Sequence, residues 1–100
     1  MVISVSPTRE KTQRMADLLR VIGHPTRLQI IQMLEGQEAS VSQLGLKLHI
    51  EQSLLSHHLT KMKDIGILRS RREGKSTFYM LREQNIMGLF DCMDKCTTLF

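Results

Sequence analysis

Apolar residues recur three and four apart from residue 8 to 22, at Met15, Leu18, Leu19 and Ile22, which predicts a helix with one apolar face. Pro7-Thr8 is placed to open it and Gly23 to stop it. Pro25 suits the first turn of a second helix, where a missing N–H costs nothing. Leu28, Ile31, Met33 and Leu34 form that helix's inner face, and Gly36 ends it. The stretch SVSQLGLKLHI predicts a short third helix, capped by Ser40 and buried at Leu44 and Leu48. A fourth, from about residue 51 to 64, puts Leu55, Leu59 and Met62 on one face. Gly66 sits where a left-handed residue commonly ends a helix.

The period then shortens. ILRSRR and STFYML are β-type runs separated by EGK, which predicts a hairpin with a glycine turn and a basic tip. QNIMGLFDCMDKCTTLF, residues 84–100, returns to helical spacing. Ile86, Phe90, Met93 and Phe100 make one stripe; Leu89, Cys92, Cys96 and Leu99 make the adjacent one. A helix apolar over so wide an arc is usually buried on two sides. The expected fold is mainly α with a β-hairpin, in the order α-α-α-α-β-β-α, as one domain over residues 1–100 with 1–7 disordered. Two helices joined by a tight break, then a hairpin, make a winged helix-turn-helix. Residues 51–64 would be the helix that enters a major groove.

Charge sharpens this picture. The chain carries a net +4, and residues 51–82 hold Lys61, Lys63, Arg69, Arg71, Arg72, Lys75 and Arg82 against Glu51, Asp64 and Glu73. The remaining residues hold 7 basic and 7 acidic side chains, so the whole excess lies in one contiguous third. A basic face of this kind suits a polyanion, most often nucleic acid. The outward positions of the fourth helix are small or polar: Gln52, Ser53, Ser56, His57, Thr60, Lys61 and Lys63. Glutamine can read adenine, and serine can bond base edges or phosphates. Arg71, Arg72 and Lys75 at the hairpin tip would reach phosphates or the adjacent minor groove. Double-stranded DNA is the expected partner.

Composition adds little against this. One tyrosine, three phenylalanines and no tryptophan make a thin aromatic core, which dimerisation would supplement. No apolar run approaches the roughly 20 residues that span a bilayer, and the N-terminus lacks the basic start of a signal peptide. Two cysteines four apart are a poor disulfide framework, so a cytoplasmic protein with no membrane partner is expected. No serine–base–acid set or phosphate-cradling glycine loop points to an enzyme or a cofactor.

The segments HPTRLQIIQML, SVSQL, SLLSHHLTKMKDIGIL and RSRREGKSTFYML together resemble the ArsR/SmtB family of bacterial winged-helix repressors, over roughly residues 12–98. The resemblance implies a homodimer, built through its first and last helices, that binds operator DNA and releases it when a metal ion or other signal binds. His57 and His58 point about 100° apart on a helix and do not converge on one metal. By resemblance they belong to the DNA-reading helix, with one facing DNA and the other packing near the wing. The family's thiolate site in the third helix is replaced here by Ser40-Val41-Ser42, whose hydroxyls cannot substitute for thiolates toward soft metals. Its site on the last helix uses Asp and His, and residues 85–100 have Asp91 and Asp94 but no histidine. Glu51 stands where the family often has a serine cap; it suits the helix dipole but would repel a nearby phosphate.

No metal site is therefore expected. His24 reads as a residue at the start of a helix, and the seven methionines as packing. Cys92 and Cys96, four apart, share a helix face and are the residues able to sense a thiol-reactive effector such as an oxidant or arsenite. The alternative is that they only pack a dimer interface, in a regulator that senses nothing or in a winged-helix protein-interaction module.

Overall fold

A computed structural model describes residues 8–97. Residues 1–7, expected to be disordered, and Leu99 and Phe100 of the last apolar stripes lie outside them. Helix α1 spans Arg9–Ile22, with the Thr8 hydroxyl accepting from the Lys11 N–H. Helix α2 spans Pro25–Met33 and starts on proline. Strand β1, Ala39–Ser40, leads into α3, Val41–Leu48. Ser40 and Gln43 form a reciprocal capping box that satisfies two otherwise orphaned N–H groups of α3. Helix α4 is Gln52–Asp64. Strands β2, Leu68–Glu73, and β3, Ser76–Leu81, form the hairpin. A 3₁₀ turn, Gln84–Ile86, then enters α5, Met87–Thr97.

The helices follow the apolar spacing closely, and several termini are set by a local cap or breaker. Gly66 takes φ +89°, in the left-handed region expected after α4. The hairpin is tighter than EGK suggests: Glu73 pairs with Ser76, which leaves Gly74-Lys75 as a two-residue loop with Gly74 at φ +61°. β1 is an addition to the expected order. It pairs antiparallel with β3, Ala39 opposite Tyr79 and Ser40 opposite Phe78, giving the sheet order β1-β3-β2. Two residues are too few to show a strand period; only the partner strand makes them one.

One hydrophobic core joins these elements. Ile30 and Ile31 from α2, Leu34 just after it, Leu44 from α3, and Leu55, Leu59 and Met62 from α4 are fully buried, with Leu68 and Leu81 closing it from the sheet. Leu28, Met33 and Leu48 pack half-buried around it. α5 differs: no described residue of it is buried, although Leu89 and Phe90 lean on the core. This core holds α3 and α4 as a fixed pair and seats the hairpin beside them.

Candidate nucleic-acid interface

α4 is divided sharply. Its inward ridge of Leu55, His58, Leu59 and Met62 is buried, and Gln52, Ser53, Ser56, His57, Thr60, Lys61 and Lys63 are all exposed. The helix thus presents a row of small polar and basic groups from a rigidly anchored body. At its start Glu51 makes no side-chain cap; its carboxylate instead accepts a hydrogen bond from the Ser53 hydroxyl. Near its end Lys63 Nζ donates to Ser70 Oγ at 2.8 Å, tying the helix to β2.

The three basic residues of the wing are exposed but not equivalent. Arg71 is enclosed by carboxylates: its Nε donates to Glu38 at 3.0 Å and its Nη1 to Glu73 at 2.8 Å, with a second contact to Glu38. Its guanidinium also lies 4.6 Å from the centroid of the Phe78 ring. The hydrogen bonds to Glu38 and Glu73 push the Arg71 pKa up, and the bond from Arg71 holds the Glu38 carboxyl below its ordinary value. Arg72 bonds only the carbonyl of Gly74, at 3.3 Å, and Lys75 occupies the loop itself. Arg71 therefore staples the hairpin to the segment before β1, while Arg72 and Lys75 keep their charge available to an anion.

This geometry, small polar groups on an anchored helix beside a basic hairpin, has close counterparts. Residues 24–70 match the family model described as bacterial regulatory protein, arsR family. The biofilm growth-associated repressor of Agrobacterium fabrum is 38% identical over 88 residues, covering 87% of this chain and 75% of that protein. The chain belongs to the ArsR family. The transcriptional activator HlyU of Vibrio cholerae is 32% identical over 78 residues, 78% of this chain and 72% of that protein. A HlyU structure from that organism superposes with a TM-score of 0.80 at 28% identity, covering 89% of this chain and 97% of that one. The repressor BigR of Xylella fastidiosa superposes with a TM-score of 0.75 at 32% identity, over 90% and 96% of the two chains. The fold is the winged helix of these regulators, and the family acts in transcription rather than catalysis.

For an ArsR-family chain the histidines have an unexpected arrangement. His57 is exposed on the outer face, but His58 is 4% exposed and packs against α2. Its Nδ1 accepts from Arg27 Nε at 3.0 Å, and its ring centroid lies 4.6 Å from that of His24. The partners of His58 are thus Arg27 and His24 at the start of α2, because position 58 follows Leu55 by three and lies on the inward ridge. Burial first, then the charges of His24, Arg27 and His57, depress the His58 pKa. His24 caps α2, its Nδ1 accepting from the Thr26 N–H at 3.1 Å. Among the described residues no group of three or more His, Cys, Asp or Glu side chains is arranged to hold a metal ion.

Cys92 and Cys96 are free and exposed on α5. Within one chain they fill no gap in the core. No helix among the described residues is long and apolar enough to cross a membrane.

Proposed function

We propose that this chain is a homodimeric, sequence-specific DNA-binding repressor that lays α4 in the major groove and sets its wing on the adjacent backbone. The observation that carries this reading is the division of α4, in which every large apolar group but Leu54 turns inward and Gln52, Ser53, Ser56, His57, Thr60 and Lys61 remain exposed. Major-groove recognition asks for such a row on a rigid helix. Ser56 and His57 are its base-edge readers; Gln52, Thr60, Lys61, Arg72 and Lys75 meet phosphates, while Lys63 is held by Ser70. Repression follows the relatives from Agrobacterium and Xylella, both named repressors, while HlyU of Vibrio cholerae is named an activator.

The test is selection of duplexes from a random-sequence library, followed by affinity against salt concentration. Lys61, Arg72 and Lys75 from two subunits give about six phosphate contacts, hence a log–log slope near −5. A flat salt response would favour a protein-interaction module instead.

Release belongs to the thiols of Cys92 and Cys96, which are exposed, lie one turn apart and ride on α5. A trivalent arsenic species would bridge such a pair, and an oxidant would link subunits through them. Arsenite or a mild oxidant should lower duplex affinity for the wild type and leave a Cys92→Ser/Cys96→Ser variant unmoved. The same response in both would assign the cysteines to packing alone.

A further inference from the structure

We infer that a cleft at the root of the wing is a seat for a single phosphate of the DNA backbone, with Ser42, Ser76 and Thr77 as ligands alongside Gln52 and Lys75. The inference rests on the DNA-binding reading above and assigns three residues to it that neither the apolar pattern nor the charge singled out.

The cleft has a volume of about 140 Å³ and lies where four elements meet: Ser40 from β1, Val41 and Ser42 from α3, Gln52 from α4, and Lys75, Ser76 and Thr77 from the hairpin. Its chemistry is almost wholly that of hydrogen-bond donors. Hydroxyls, one carboxamide and one ammonium line it, and no acidic side chain does. Of the nearby carboxylates, Glu73 is paired with Arg71, while Glu51 accepts from the neutral Ser53 hydroxyl, keeps its charge and stands outside the lining.

What separates this cleft from an ordinary polar surface is which groups are already used. Ser40 is consumed by the capping box, its Oγ accepting from Gln43 N at 3.1 Å. Lys63 is consumed by Ser70, and Arg71 by Glu38 and Glu73. Among the described residues, the side chains of Ser42, Gln52, Lys75, Ser76 and Thr77 have no such partner. Five residues bearing donor groups, from three separate elements, thus line one space without a protein partner among the described residues. A single positive charge surrounded by neutral donors matches one phosphodiester oxygen pair, the group that protein hydroxyls and lysines most often meet on DNA. The position agrees: with α4 in the groove, the strand bordering that groove passes between the start of α4 and the hairpin.

A free phosphate or a phosphorylated small molecule presents the same oxygens, so the experiment must separate the sources. The probe is a duplex recovered by selection with the full chain, in which each phosphate is replaced in turn by a neutral methylphosphonate. Wild type is compared with Thr77→Val and with Ser42→Ala, both of which keep side-chain bulk near that of the original. One phosphate per half-site should be found whose neutralisation weakens wild-type binding about ten-fold, the scale of a lost hydrogen bond to a charged group. Each variant should bind the unmodified duplex several-fold more weakly yet lose less than about two-fold more on that one methylphosphonate. In parallel, inorganic phosphate is titrated while the backbone amide signals of residues 42 and 77 are followed. Losses that simply multiply, or full affinity in both variants, would overturn the seat while leaving DNA binding intact. Saturation of those signals by micromolar inorganic phosphate would assign the cleft to a free anion and equally overturn it. Recovery of no duplex at all would remove the DNA reading and the seat together.

Discussion

Burying a histidine whose ring nitrogen accepts a hydrogen bond from arginine fixes its protonation state. His58 Nδ1 accepts from Arg27 Nε at 3.0 Å, so the neutral ring carries its proton on Nε2. Protonating Nδ1 would set two donors face to face and add a charge beside His24, Arg27 and His57, the groups that burial already reinforces in lowering this pKa. The unfolded chain takes up that proton near pH 6.5, whereas the folded chain does so only at lower pH. The stabilisation from a neutral His58 is therefore complete above the unfolded value and is lost as pH falls through the folded one. Thermal unfolding should shift to lower temperature between about pH 7.5 and 5.5. His58→Gln, whose amide oxygen can still accept from Arg27, should flatten that shift. An undiminished shift in the variant would place the titration elsewhere. That His58 turns inward is legible from its spacing to Leu55 and Met62, but its partner lies 31 residues away and no local pattern announces it.

Among the elements, α4 and the hairpin divide the labour of binding. Ser56→Ala or His57→Ala removes an outward group from a helix held by Leu55 and Leu59, so unfolding should be unchanged while operator affinity falls by about 1–3 kcal/mol. Full affinity in a folded variant would mean that another face of α4 meets DNA. In the hairpin, Lys75→Ala should weaken all duplexes alike and make the salt slope shallower by about 1 per subunit. Arg71→Ala should leave the slope unchanged, because that guanidinium is already neutralised by Glu38 and Glu73, and its loss should appear as a less stable hairpin. Salt titrations of the two variants separate these roles. Helix ends were readable because Thr8, Pro25, Ser40 and Gly66 act on their own neighbours. The role of Arg71 was not, since its sign and place match those of Arg72 and its pairing with Glu38 and Glu73 shows only in the folded chain. Ser42, Ser76 and Thr77 were hidden for the same reason: each is an ordinary surface residue until the fold brings it to the others.

At the scale of the molecule, large apolar side chains stand exposed singly at Leu46 of α3 and Leu54 of α4, and on both α1 and α5. Met15 and Leu19 are 56% and 53% exposed on α1, and Met93 is 45% exposed on α5. These are large apolar groups on helices that the core leaves half-covered, while most of the fully buried residues lie on α2, α3 and α4. Thin aromatic content limits what one copy can bury by itself, and a second copy placing its own α1 and α5 against these faces would complete the burial. Such a pairing also sets the distance between two α4 helices, which must match half-sites about one helical turn of DNA apart. Dimerisation and DNA affinity are then linked, because the second half-site is bound at millimolar effective concentration once the first is engaged. The chain should sediment as a dimer at micromolar concentration. Replacing both Leu19 and Met93 by glutamate should give a folded monomer, since neither side chain belongs to the buried core. That monomer should lose duplex affinity by about a hundred-fold or more, far beyond the loss from any one contact on α4. A wild-type monomer, or a monomeric variant that binds as tightly as the wild type, would show that these faces serve some other purpose.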